Sequence, residues 1–147
     1  MGTPVLFLLM RNDMASMNPG KAMAQASHAS NAFVHHYHAF CQENAAKAPR
    51  DIVKEINTGF HEWENSTRQG FGTVLVLESK ITEIKPVIDI FKSMEYIAGM
   101  VHDPTYPLVD GDTVHFIPVD TCAYVFVPNK EEDEIAAMFL KRYPLHR

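Results

Sequence analysis

The strongest constraint on the fold is an uninterrupted apolar run, Pro4-Val5-Leu6-Phe7-Leu8-Leu9-Met10, that stops at Arg11-Asn12-Asp13. A stretch with no polar alternation leaves no face for water. It therefore reads as a strand over about Val5–Met10, buried on both sides, followed by an exit loop. The run is far short of the roughly 20 residues that cross a bilayer. No basic region precedes it and no small-residue cleavage site follows, so it does not read as a signal peptide. A doubly buried strand needs a layer on each face, which points to an α/β architecture.

The rest of the chain supplies those layers. Strands are expected at Thr73–Glu78, Tyr96–His102, Val114–Val119 and Cys122–Val127, and helices at about Lys21–Gln42, Pro49–Glu64, Thr82–Ser93 and Glu131–Lys141. Asn18-Pro19-Gly20 marks the turn before the first helix, and the Asp-, Pro- and Gly-rich stretch Asp103–Asp112 reads as a loop. Strands alternating with helices predict a three-layer α/β/α fold on a mixed, mostly parallel sheet of four to five strands. At 147 residues, 46% apolar and 21% charged, the chain can build a core without staples and is expected to form one domain over residues 1–147. That composition excludes disordered and low-complexity classes. Cys41 and Cys122 make no disulfide framework, which fits a soluble protein of the reducing cytoplasm. A net charge of -5 rules out an overall basic coat for nucleic acid, so any phosphate contact must come from a local patch. Arg11, Lys21, Lys47, Arg50, Lys54 and Arg68 are the cations available to form one around the first two helices.

The first helix carries two stripes. Ala22, Ala26, Ala29, Phe33, Tyr37 and Phe40 fall on one and read as core, with the alanines allowing close approach to the sheet. Lys21, Gln25, His28, Ala32 and His35 fall on a polar stripe about a quarter turn away. This helix opens directly after a buried strand, where open α/β sheets bind ligands. Its N-terminal N–H groups and Lys21 together attract anions. A phosphate-cradling Walker A loop is excluded, because Lys21 is followed by Ala22 and the leading glycine is missing.

Arg11-Asn12-Asp13-Met14, followed by Met17, Gly20, Lys21, Ala24, Gln25, Ser27, His28 and Ala29 in fixed spacing, resembles the second-type peptidyl-tRNA hydrolases of archaea and eukaryotes. The resemblance is close over about Pro4–Phe40 and looser over Phe71–Leu140. It implies cofactor-free hydrolysis of the ester joining a peptide to the 3′ end of tRNA, with peptidyl-tRNA as the partner and a homodimer as the expected assembly. It also implies Lys21 and Asp103 as catalytic groups, and Asp13, Gly20, Gln25, Ser27 and His28 as substrate-binding candidates. The family's site threonine, four places after its aspartate, falls on Pro107 here, which leaves Thr105 and Thr121 as candidates. The segment Asp103–Pro128 is also longer than in the family, and Asp110-Gly111-Asp112-Thr113 within it suits an added hairpin.

Ester hydrolysis needs an activated water and a stabilised oxyanion. Asp103 suits the first and Lys21 with the helix N–H groups the second; a threonine hydroxyl serves either. Each residue also has a structural reading. Asp103 can cap the turn before Pro104, Gln25 can bond loop backbone, His28 can brace helix against loop, and Asp13 can brace the first loop. A non-catalytic module binding a nucleotide end or a protein partner is the alternative function. No metal is expected. His35 and His38, at i, i+3, point roughly 60° apart around the helix and lack an acidic partner motif. Met10, Met14, Met17 and Met23 read as packing or loop anchors.

Overall fold

The computed structural model describes residues 3–147, so the first two residues of the span expected to form one domain lie outside the described residues. In chain order the elements are β1 (Val5–Arg11), α1 (Pro19–Asn44), α2 (Asp51–Glu64), β2 (Thr73–Ser79), α3 (Ile81–Ser93), β3 (Ala98–Asp110), β4 (Thr113–Val127) and α4 (Glu134–Leu140). The strands form one four-stranded sheet in the order β2-β1-β4-β3.

β1 is interior to the sheet, parallel to β2 and antiparallel to β4. Its side chains alternate between two cores. Leu6, Leu8 and Met10 pack with Phe33 of α1 and with Ile56, Phe60 and Trp63 of α2. Val5, Phe7 and Leu9 pack with Ile84, Val87, Ile88 and Phe91 of α3 and with Ala136 and Leu140 of α4. Because both faces are covered, every position from Val5 to Met10 is apolar, and the three layers are α/β/α. β4 alternates in the same way, with Cys122, Tyr124 and Phe126 on the α1/α2 side and Ala123, Val125 and Val127 on the other.

The mixed sheet agrees with the sequence reading, with one refinement. β1, β2 and β3 share a direction, but β4 returns between β1 and β3, so only the β1–β2 pairing is parallel. The cause is the segment expected to be a loop. β3 continues through it to Asp110, and Gly111-Asp112 turn the chain back as a hairpin that needs no crossover. Gly111 has φ 59°, a left-handed conformation that glycine adopts without penalty. The two strands expected at Val114–Val119 and Cys122–Val127 are one strand, interrupted by a bulge.

The hairpin holds two register shifts. Val101 pairs with Cys122 and His102 with Asp120, leaving Thr121 as an extra residue in β4. Asp103 pairs with Val119 and Tyr106 with Ile117, so Pro104 and Thr105 oppose Pro118 alone. Bulges of this kind re-aim side chains, and both lie where the candidate site forms.

α1 begins at Pro19. Its N-cap is Asn18, whose side chain accepts a hydrogen bond from the Lys21 N–H at 2.9 Å. α4 begins three residues later than expected, at Glu134, because the Asp133 carboxylate caps it by accepting from the Ala136 N–H at 2.8 Å. The C-terminal tail adds to the outer edge of β2. Glu78 N–H donates to Pro144 O at 3.0 Å and His146 N–H to Val76 O at 2.7 Å. Among the described residues no helix is long and apolar enough to cross a membrane.

Candidate active site

Three residues from three elements form a buried polar chain. Thr121, fully buried at the β4 bulge, donates its hydroxyl to Gln25 Oε1 at 2.6 Å. Gln25, on α1 and 2% exposed, donates Nε2 to Asp103 Oδ2 at 2.7 Å. Asp103, on β3, also accepts at Oδ1 from the Thr105 N–H at 2.9 Å and from the Thr105 hydroxyl at 3.4 Å. A carboxylate can only accept, so Gln25 must present its NH2 to Asp103 and its oxygen to Thr121, and the Thr121 hydroxyl must be the donor. The Cys122 thiol closes the back of the chain on Gln25 O at 3.5 Å.

This chain sets the ionisation of Asp103. Burial pushes its carboxyl pKa up. The Gln25 amide, the Thr105 N–H and the nearby charge of His28 outweigh burial and hold it below the usual value. Asp103 is therefore an ionised carboxylate at neutral pH. Of about four acceptor positions on a carboxylate, three are filled from within the protein, which leaves one for a water or a substrate donor.

Lys21 sits one helical turn before Gln25. Its ammonium donates to Pro107 O at 2.8 Å and lies 5.1 Å from the centre of the Tyr106 ring. Lys21 is thus tied to β3 at Pro107, four residues beyond Asp103 and just past the second register shift. The Pro107 bond uses one of the three ammonium donors, so two remain. Sequence reasoning missed Tyr106, which is fully buried with its hydroxyl 3.1 Å from Ser16 Oγ. The one signal for it was an aromatic residue between two prolines, in a stretch whose composition reads as loop.

The other candidates are distributed around this centre. Thr105 is exposed beside Asp103, whereas Thr121 is buried behind Gln25. Gly20 is exposed in the first turn of α1, and a Cβ built there would meet Asn18 Oδ1 at 3.6 Å, an ordinary contact. His28 is exposed and, with Asp103 and Thr105, lines a groove of about 590 Å³. Ser27 is exposed two residues from Gln25, roughly 200° around the helix. Asp13 is held away from this cluster. It accepts from Arg11 at 2.8 and 3.3 Å and from the Ile81 N–H at 3.3 Å, with Arg11 chiefly holding its pKa below the usual value. Of the cations expected to form a basic face, Arg11 is committed to Asp13 and Arg50 to Glu95. Among the described residues no group of histidine, cysteine and carboxylate side chains has the arrangement of a metal site.

The family model described as peptidyl-tRNA hydrolase PTH2 matches residues 5–132. The chain belongs to the peptidyl-tRNA hydrolase PTH2 family. The match runs from β1 through the hairpin and so contains every residue of the cluster, while α4 and the β2-capping tail of this PTH2 member lie beyond it. A search of curated proteins finds no match.

Proposed function

We propose that this PTH2-family chain is a single-domain, cofactor-free hydrolase that cleaves the ester between a peptide and the 3′ end of tRNA. The observation that carries the reading is the Gln25 bridge. It locks the first turns of α1, with the Lys21 cation and the Gly20 N–H, against the ionised Asp103 of β3.

Asp103 keeps one acceptor position for the attacking water and orients it through that hydrogen bond. Its lowered pKa gives it full negative charge at neutral pH and makes it a weak base, so orientation is its main role. The two spare donors of Lys21 and the Gly20 N–H in the first turn of α1 stabilise the oxyanion that forms as water adds to the ester carbonyl. The Thr105 hydroxyl, exposed beside Asp103, is the threonine placed to touch water or substrate. Thr121 acts at one remove, by fixing the Gln25 amide. Exposed Gly20 and His28 flank the path to the ester.

The test is release of peptide from peptidyl-tRNA by the purified chain, beside Lys21→Ala and Asp103→Ala variants and a tRNA-binding measurement. Cleavage by the parent, falling about 10²–10³-fold on loss of Lys21 with binding retained, supports the reading. Binding with no cleavage by the parent assigns the chain to the alternative, a non-catalytic module.

A further inference from the structure

β3 is the outermost strand of the sheet, with no strand on its outer side among the described residues. The Phe126 N–H donates to Ile97 O at 3.0 Å, and the pairing keeps that register through Val101 and Cys122. In an antiparallel ladder, alternate residues bond the neighbouring strand. Gly99 and Val101 therefore turn their main-chain groups to β4, while those of Met100 and His102 point away from the sheet. The groove of about 590 Å³ runs along this edge, between His28 and Ala32 of α1 and residues 100–105 of β3, and its end wall is Asp103 and Thr105.

We propose that this edge binds the peptide portion of the substrate as an added strand, with the ester carbonyl at the Asp103 end. The proposal rests on the hydrolytic reading for the position of the ester. The groove itself indicates which part of the substrate it takes. It is lined by no lysine or arginine, and its Asp103 carboxylate faces His28, so it lacks the cluster of cations that a phosphate backbone needs. Ala32 and Val101 supply an apolar floor on the α1 side, and the N–H and C=O groups of Met100 and His102 on the outer edge match a neutral amide backbone. Pro104 has no N–H and sits in the bulge, so the usable edge ends beside Asp103. From Met100 to Asp103 the edge is about 10 Å long, room for roughly three peptide residues. With the ester at the Asp103 end, the added strand runs parallel to β3. Recognition of this kind reads main chain and not side chains, so it accepts any peptide sequence and gives little to a single esterified amino acid.

The probe is a blocked tripeptide joined by an amide to 3′-amino-3′-deoxyadenosine, which the chain cannot hydrolyse as an ester. It is titrated into the isotope-labelled full chain, and amide hydrogen exchange is followed residue by residue. Exchange at Met100 and His102 is expected to slow at least tenfold at saturation, while Gly99 and Val101, already bonded to β4, change little. N-methylation of one peptide amide should weaken binding about three- to tenfold, and methylation of its neighbour should not, because only alternate amides face the edge. Binding without protection at Met100 and His102, equal effects of the two methylations, or no binding at millimolar probe overturns the proposal. A peptidyl-tRNA cleavage assay separates the two ideas. Cleavage with no edge protection removes the groove assignment alone, whereas protection with no cleavage removes the hydrolytic reading and leaves the edge.

Discussion

Gln25 Nε2 and Asp103 Oδ2 are 2.7 Å apart, and this one hydrogen bond joins residues 78 positions apart in the chain. It is backed by the Thr121 hydroxyl on the other end of the same amide. The bond couples the stability of the fold to the charge state of the site.

Replacing Gln25 with leucine leaves two buried partners unsatisfied, the Asp103 carboxylate and the Thr121 hydroxyl. Each such group costs about 1–3 kcal/mol, more where it is charged. We expect Gln25→Leu to lose roughly 2–5 kcal/mol in urea unfolding at pH 7. Gln25→Glu should behave differently, because a carboxylic acid protonated against Asp103 can still donate. At pH 5 its loss is expected to be clearly smaller than that of the leucine variant. Equal losses for the two would mean that the amide contributes volume and not a hydrogen bond.

Asp103 gives the pH dependence. Its folded pKa is lowered from 3.8, so the unfolded chain holds this proton more tightly than the folded one. The stability from its donors is fully present above the unfolded value and fades as pH falls through the folded value. Asp103→Asn removes the titration. The stability gap between parent and variant is expected to be about 1–3 kcal/mol at pH 7 and to shrink steadily below pH 4. Taking the difference between the two proteins cancels the other carboxylates. A gap that widens toward acid in paired denaturation curves would contradict the lowered pKa.

The two threonines separate by burial. Thr121→Val keeps the shape and deletes the donor to Gln25, so a loss of about 1–3 kcal/mol is expected. Thr105→Ala removes only the exposed 3.4 Å hydroxyl contact and leaves the 2.9 Å main-chain bond to Asp103, so its stability change should stay within about 0.5 kcal/mol. Kinetics should order the other way once stability is matched by temperature, with the Thr105 variant losing kcat. Thermal melts and initial rates on the same preparations decide it.

Which parts were legible in sequence follows from how far each residue's partners lie along the chain. β1 was readable because burial on both faces makes every residue from Val5 to Met10 apolar. The start of α1 was readable because Asn18, Pro19 and the alanines act within a turn or two. Gln25 was placed on the polar stripe, which its spacing supports, yet it is 2% exposed. Its burial depends on Asp103 and Thr121, and no local pattern reveals partners so distant. The turn of the hairpin was legible in Asp110-Gly111-Asp112-Thr113, but the length of its arms was hidden for the same reason. Prolines, aspartates and a glycine look like a loop, but β4 supplies a partner strand that turns them into β3 and two bulges. The tail strand on β2 gave no signal, because Pro144-Leu145-His146 is too short for any periodicity.

Gly20 offers a test in which fold and function separate. Its φ is not left-handed, and an added Cβ would meet only Asn18 Oδ1, at 3.6 Å. Alanine also favours helix, so Gly20→Ala should fold as well as the parent or gain up to about 1 kcal/mol. The chain's own packing therefore does not require glycine here. What a methyl group would obstruct is the approach of a ligand to the Gly20 N–H in the first turn of α1, beside Lys21. If the ester carbonyl docks there, Gly20→Ala should raise the melting temperature slightly while kcat/KM for peptidyl-tRNA falls at least several-fold. Unchanged kinetics in the stabilised variant would place the oxyanion away from the helix N-terminus and leave Lys21 to stabilise it alone.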